Sequence, residues 1–163
     1  MFAVRLVQFI ESHADELSEG LIQKLRNSER CAPLLQQVPA DELQRRTHEI
    51  YRNLGDWLLG KTESEIEERY VGLGMRRARQ GVPFIAFLWA ITLTKEHLWE
   101  LLQKEGLVEE PDLLGEMDLL HSLQGCFDRA IYFASLGFET AREQTAHSAR
   151  AVGAPAKTHS AGR

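Results

Sequence analysis

Apolar side chains recur at spacings of three and four residues along most of the chain, a period that is typical of amphipathic helices. The pattern predicts a first helix over residues 2–25 and a second over residues 41–60. Between them, Pro33 and Pro39 interrupt the period, so residues 27–39 are predicted to form a loop with at most a short turn around Leu34 and Leu35. No segment alternates with the period of two that a half-buried strand requires. The sequence therefore predicts an all-α fold.

The third and fourth helices are predicted to meet at a tight corner. Thr62 and Glu65 have the spacing of a capping box, so the third helix should begin there. Gly81 and Pro83 mark the corner, since glycine can adopt a left-handed conformation and proline suits a first turn. The fourth helix, over residues 83–104, is apolar on nearly every side in its first turns, so we expect it to be the central core helix.

The fifth helix should start near Pro111 and be the longest. One of its apolar stripes alternates spacings of three and four residues, as a coiled-coil seam does. The candidate dimer seam on this stripe consists of Leu120, Phe127, Ile131 and Phe138. A second apolar stripe runs beside it, so the helix could equally be buried on two sides within one domain. We therefore expect about five helices in a globin-like bundle with a long C-terminal helix, and a homodimer as one interpretation.

The composition changes at about residue 144, after which Ala, Ser, Gly, Pro and scattered basic residues dominate. Such a segment cannot bury enough apolar surface to offset its ordering entropy. We expect one helical domain over residues 1–143 and a disordered tail over residues 144–163, and a length of 163 residues suits a single domain.

Charge and hydropathy exclude several classes of protein. The net charge of -5 argues against a nucleic-acid module, because phosphate binding requires a basic surface. A dense basic patch at Arg76, Arg77 and Arg79 is interpreted as a solvated helix face rather than an anion site. The apolar runs are shorter than a membrane-spanning helix, and no signal peptide is apparent, so we expect a cytoplasmic protein that does not enter the membrane. Cys31 and Cys126 are expected to be free thiols.

Catalytic and metal-binding patterns are sparse. Asp118 and His121 form a single pair with a spacing of three residues, whereas a di-metal bundle needs two facing sets, and no HExxH, Walker or GxSxG motif occurs. We therefore expect neither catalysis nor a bound metal. His97 and His121 are the histidines that could bind haem in a helical domain of this size, and a haem-binding globin-type sensor is the alternative hypothesis. Surface or core positions are more typical of such histidines, so no cofactor is expected.

Two further features could serve binding. Aromatic side chains cluster on the fourth helix and are interpreted first as core and second as the lining of a pocket for a small apolar ligand: Phe84, Phe87, Trp89 and Trp99. On the third helix, Gly72 and Gly74 weaken helix propensity. They indicate either close helix packing or a place where a ligand or partner approaches the backbone.

The run Arg-Ala-Arg-Gln-Gly-Val-Pro over residues 77–83, followed by an apolar helix that reaches Leu98-Trp99-Glu100, carries a family resemblance. It resembles the N-terminal domain of RsbRD-type proteins, the RsbT co-antagonist family of bacterial stress-signalling regulators. A similar domain occurs at the front of PucR-like transcriptional regulators. The similarity is strongest over residues 70–99.

The resemblance implies a globin-like sensor module without haem, which dimerises and passes a signal to an output domain joined after its last helix. This sequence departs from the regulator relatives at Ile91, Thr92 and Thr94, where a tyrosine, an arginine and a glycine would be expected. The segment over residues 144–163 is too short for an output domain, so both a stand-alone protein and a fragment of a longer one remain open. A regulatory partner protein is expected in either case.

Overall fold

The computed structural model describes residues 2–60, 62–105 and 113–153, and these ranges are helical almost throughout, with no strand. The elements in chain order are α1 (Phe2–Ser12), α2 (Ala14–Asn27), a 3₁₀ turn (Glu29–Cys31), α3 (Ala32–Gln37), α4 (Ala40–Arg52), α5 (Leu54–Leu59), α6 (Glu63–Arg79), α7 (Phe84–Lys104) and α8 (Leu113–Val152). The all-α prediction and the long C-terminal helix are confirmed. The globin-like arrangement stays a prediction.

The prediction of about five helices is wrong, since the described residues contain eight. The predicted first helix is divided at His13 and the predicted second helix at Asn53, where the backbone leaves the helical region. The Asn53 side-chain amide donates to the Glu49 carbonyl at 3.0 Å and satisfies a carbonyl at the end of α4. The predicted loop over residues 27–39 contains the 3₁₀ turn and α3, with Pro33 in the first turn of α3.

The corner between α6 and α7 follows the prediction. Thr62 caps α6: its hydroxyl accepts from the Glu65 amide at 3.4 Å, and the Glu65 carboxylate accepts from the Thr62 amide at 2.8 Å. Gly81 has a φ of 76°, so it takes the left-handed conformation that ends the turn after α6. Pro83 then precedes the first residue of α7.

One large apolar core joins side chains from most of the helices. Ile10 of α1, Leu21 of α2 and Leu98 of α7 are almost completely buried in it. Tyr51 of α4 is also fully buried, and its hydroxyl donates to the Thr94 carbonyl of α7 at 3.2 Å. Helix α7 is a core helix as expected, although Ile85 in its first turn is largely exposed. None of the helices in the described ranges combines the length and apolarity needed to cross a membrane.

Helix α8 is 40 residues long, and its two ends lie in different surroundings. Side chains on one side, from Leu123 to Ala141, are buried against the rest of the chain. From residue 142 to residue 152 every side chain is exposed. The helix therefore continues beyond residue 143, where the sequence predicted the domain to end, because adding residues to a formed helix gains one hydrogen bond per residue. Residues 154–163 of the predicted tail lie outside the described residues.

Helices α6 and α8 cross in backbone contact. A Cβ atom placed on Gly74 would lie 1.9 Å from the Ala134 carbonyl oxygen, and one placed on Gly137 would lie 2.0 Å from the Val71 carbonyl oxygen. Both distances are far below van der Waals contact, so only glycine fits at either position. Close helix packing, one of the two interpretations of the glycine pair, therefore holds for Gly74.

Candidate functional site

A buried carboxylate and two arginines connect the first turn of α4 to the last turn of α6. Arg77 Nη1 donates to Glu42 Oε1 at 2.7 Å and to Gln80 Oε1 at 2.6 Å. Arg76 donates to both Glu42 oxygens, from Nε at 2.7 Å and from Nη2 at 2.9 Å. Gln80 Nε2 completes the set with a hydrogen bond to Glu42 Oε2 at 3.1 Å. We refer to these four residues as the Glu42 cluster.

The position of the Glu42 cluster suits its charges. Glu42 lies in the first turn of α4, and both arginines lie in the last turn of α6, where the helix dipoles favour an anion and cations respectively. Hydrogen bonding from Arg76 lowers the Glu42 pKa to about 2, with burial opposing this change and Arg77 adding to it. Burial lowers the Arg77 pKa, and the charges of Arg76 and Arg46 lower it further against the effect of Glu42. The Arg46 charge therefore acts on Arg77 in addition to that of Arg76.

Next to the Glu42 cluster lies a cavity of about 280 Å³, which we call the α4–α6 cavity. Its lining combines apolar and cationic side chains from the two helices: Arg46, Ile50, Arg69, Tyr70, Gly72, Leu73 and Arg76. Ile50 and Tyr70 also line a much smaller cavity of about 10 Å³ that reaches Cys126 and Phe127 of α8. Ile50 and Tyr70 therefore border both cavities.

Arg46, one of the cations that line this cavity, has an unpaired guanidinium nitrogen. Its closest carboxylate oxygen is Glu49 Oε2, which lies 3.7 Å from Arg46 Nη1 and 4.0 Å from Arg69 Nη2. The Arg46 Nε atom is buried and has no hydrogen-bond partner among the described residues. Buried donors are nearly always paired in proteins, so an unpaired guanidinium nitrogen beside a cavity requires an explanation.

The four aromatic residues proposed as pocket lining lie elsewhere. Phe84 and Phe87 both contact the Phe138 ring, with centroid distances of 5.0 and 6.1 Å. Trp89 is half-buried, and the Arg30 guanidinium lies 4.5 Å from its ring centroid. Trp99 is half-buried against the main core. None of the four lines the α4–α6 cavity, and whether they bind a ligand stays a prediction.

The candidate seam residues divide between two environments. Phe127 and Phe138 are buried in the core of the single chain, whereas Leu120 and Ile131 are half-buried. The exposed apolar side chains of α8 belong to other positions, among them Tyr132 and Leu136. The assignment of these four residues to a dimer seam stays a prediction. The sequence pattern did not show which of the two apolar stripes of this helix faces the core.

The two candidate histidines lie in unlike surroundings. The His97 ring packs against Gly20, where a Cβ atom would lie 2.7 Å from its Nε2. Burial, and then the charge of Lys24, lowers the His97 pKa. His121 is exposed and lines a separate cavity of about 370 Å³ with Cys126. Among the described residues, no group of three His, Cys, Asp or Glu side chains is placed to hold a metal ion.

Sequence reasoning missed Glu42 and gave the wrong environment for Arg77. The prediction of a solvated basic face is wrong for Arg77, which is only 3% exposed and donates to Glu42. A signal was present in the sequence, since Arg77 falls on the apolar stripe of α6, and an arginine at a core position is almost always paired. The identity of its partner, more than thirty residues earlier in the chain, was not readable from spacing.

The fold and this geometry define an all-α domain with a buried ion cluster and a partly apolar cavity between the same two helices. The family model described as the RsbT co-antagonist protein rsbRD N-terminal domain matches residues 15–152. The chain therefore belongs to the rsbRD N-terminal domain family, and the resemblance carried by residues 77–83 is confirmed. Neither the search of curated proteins nor the search of solved structures found a match.

Proposed function

We propose that this chain is a non-catalytic bacterial signalling module that dimerises and regulates a partner protein or an output domain in a stress response. Membership of the rsbRD N-terminal domain family supports a signalling role. The proposal includes a cytoplasmic location and no resident cofactor. The domain would act by changing its packing when a signal arrives, without altering a substrate.

The observation that carries the proposal is the continuity of α8. Buried side chains such as Phe127 and Phe138 anchor this helix in the core, and the same helix then extends as a fully exposed segment over residues 142–152. Continuous backbone hydrogen bonds make a helix stiff along its length. A change in core packing at Phe127 would therefore shift the exposed segment, where a partner or an output domain can respond.

The proposed dimer contact uses the outer side of α8. Tyr132 and Leu136 are 65% and 41% exposed and are four residues apart, so they are neighbours on one helix face. Half-buried Ile131 lies beside them in sequence. Phe127 and Phe138 are buried in the core of the single chain and are not accessible to a second copy. A second copy would therefore contact Tyr132 and Leu136. A second copy is the proposed occupant because an aromatic and an aliphatic side chain left exposed side by side on α8 can be buried against the same two residues of another copy.

Native mass spectrometry over a range of protein concentrations tests the dimer. The unaltered chain should give a dimer, and the double variant Tyr132→Glu with Leu136→Glu should give a monomer with an unchanged circular dichroism spectrum. Val4→Glu alters an exposed aliphatic residue of α1 and is the matched control, which should remain dimeric. A monomeric unaltered chain at every concentration would refute the dimer, and a dimeric double variant would refute this contact.

An absorption spectrum of the same sample tests the absence of a cofactor. No Soret band is expected. A Soret band that disappears in His97→Ala or His121→Ala would instead establish the haem-binding globin-type sensor. That result would replace the cofactor-free proposal whatever the oligomeric state.

A further inference from the structure

We propose that the α4–α6 cavity binds a small amphipathic carboxylate, a molecule with one anionic group and a short apolar body. The carboxylate would lie on the Arg46 guanidinium, and the apolar body would lie against Ile50 and Tyr70. This inference names the ligand class of the proposed sensor and rests on the proposed function only for its role as a signal.

The anionic group is inferred from the cations around one end of the cavity. Three guanidinium groups line the cavity, those of Arg46, Arg69 and Arg76, and Glu42 and Glu49 are carboxylates in contact with them. Arg76 uses Nε and Nη2 on Glu42, and Arg77 is buried, whereas Arg46 has Glu49 at 3.7 Å from Nη1 and no hydrogen-bond partner among the described residues for its buried Nε. A guanidinium offers two parallel donors that match a carboxylate. An anionic ligand would supply an acceptor for the unpaired Arg46 Nε.

The apolar body is inferred from the remaining lining. Ile50, Tyr70 and Leu73 are half-buried side chains that line the cavity with hydrocarbon and an aromatic ring. A fully charged ligand such as phosphate would leave this surface without a partner. An alcohol or alkane would leave Arg46 without one. The lining therefore fits a ligand that carries both kinds of group.

The volume of the cavity limits the size of the ligand. At about 280 Å³ it falls just below the range of about 300–1,000 Å³ that is usual for small-molecule sites. A short acyl chain or a single aromatic ring fits this space, whereas a long-chain lipid would extend out of it. Ile50 and Tyr70 of the lining also border the small cavity that reaches Cys126 and Phe127 of α8. An apolar body that displaced Tyr70 would therefore act on α8, the helix that the proposed function uses for output.

Gly72 gives an independent observation in favour of a binding site. A Cβ atom on Gly72 would meet no atom within 4 Å, so helix packing does not require a glycine there. A helix with glycine at an interior position is less stable than one with alanine, and nothing in the described structure compensates for this cost at Gly72. Gly72 lines the α4–α6 cavity, and the absence of a side chain keeps the cavity open. Ligand binding explains why open space is retained at this position.

The probe for this site is octanoate, titrated into the full chain by isothermal titration calorimetry. Two comparison compounds separate the parts of the ligand: 1-octanol keeps the apolar body without the charge, and acetate keeps the charge without the body. Octanoate should bind at least about tenfold more tightly than 1-octanol, which lacks the charged hydrogen bond, and than acetate, which buries no apolar body. Equal affinity for octanoate and 1-octanol would overturn the assignment of Arg46 as the anion contact. No octanoate binding up to millimolar concentrations would overturn the site.

Three variants locate the binding. Arg46→Gln should weaken octanoate binding by about tenfold or more. Gly72→Leu should abolish it by filling the cavity, and this variant should fold well because leucine is a better helix former than glycine. Arg52→Gln makes the same charge change at an exposed position of α4 outside the cavity lining and should bind octanoate normally. Unchanged binding in Gly72→Leu would place the ligand elsewhere and refute the proposal.

The oligomeric state of the same samples keeps the two proposals distinguishable. Octanoate binding by a monomeric chain would support the site and refute the dimer. A dimer that does not bind octanoate would refute the site and leave the signalling module standing.

Discussion

Gly72 and Gly74 are two residues apart on α6, yet their surroundings are opposite. A Cβ atom on Gly74 would overlap the Ala134 carbonyl of α8, whereas a Cβ atom on Gly72 would meet nothing within 4 Å. The first glycine is required by packing, and the second is not. Helix α6 therefore has a closed side, which touches the α8 backbone, and an open side, which borders the α4–α6 cavity.

The two sides depend on different interactions. On the closed side, Gly74 and Gly137 let the two backbones touch, so a displacement of either helix must move the other. On the open side, α4 and α6 are joined by the Glu42 cluster, and a cavity remains beside it. In the proposed function, a change of packing on the open side would be passed to α8 through the closed side.

The largest effect is expected at the ion cluster of the open side. Glu42→Gln removes the charge opposite Arg77, whose side chain is almost completely buried. Removing one partner of a buried ion pair costs about 3–5 kcal/mol, because the other charge stays buried without compensation. Urea denaturation should show a loss of this size.

Glu49→Gln is the matched control for this change. The Glu49 side chain is 37% exposed, and its closest guanidinium contacts are 3.7 and 4.0 Å long. A partly exposed pair of this kind contributes about 1 kcal/mol or less. Equal losses in the two variants would mean that the Glu42 cluster does not hold the open side together.

The second prediction concerns the pH dependence of the same carboxylate. The folded-state pKa of Glu42 is lowered to about 2, whereas an unfolded glutamate titrates near about 4.3. Its contribution to stability is therefore fully present above about pH 4.3 and is lost as the pH falls toward 2. The difference in unfolding free energy between the unaltered chain and Glu42→Gln should shrink by about 3 kcal/mol across this interval. A difference that stays constant from pH 5 to pH 2 would contradict the lowered pKa.

The third prediction concerns the closed side. Gly74→Ala forces a methyl group against the Ala134 carbonyl, so α6 and α8 must separate. Overpacking of this kind costs about 1–3 kcal/mol, which exceeds the gain in helix propensity. Denaturant unfolding should show a net destabilisation of about 2 kcal/mol. Gly125→Ala, at a position of α8 where a Cβ atom meets nothing within 4 Å, should not destabilise the chain and is the control.

Much of the fold was predictable from local chemistry. The capping box at Thr62 and the left-handed Gly81 depend on neighbouring residues, so spacing alone identified them. The breaks at His13 and Asn53 were not predictable in this way. The helices on either side of each break bury the same side of the chain, so the apolar period continues across the break.

The candidate site was less predictable, because it depends on contacts between distant parts of the chain. Glu42 is an ordinary first-turn glutamate in the sequence, and only the packing of α4 against α6 pairs it with Arg77. The sequence likewise could not separate Gly72 from Gly74, since each is a glycine in a helix and only the neighbouring helix makes them different.

The smallest expected effect tests the difference between Gly72 and Gly74 directly. Gly72→Ala adds a methyl group where no atom lies within 4 Å, so it should bring the helix-propensity gain without a packing cost. The unfolding free energy should rise by about 0.5–1 kcal/mol, opposite in sign to Gly74→Ala. If Gly72→Ala instead destabilises the chain, α6 is closed on both sides and the cavity has no room for a ligand. If it stabilises the chain as expected, the natural glycine costs stability at a position that helix packing leaves free, as the proposed ligand site requires.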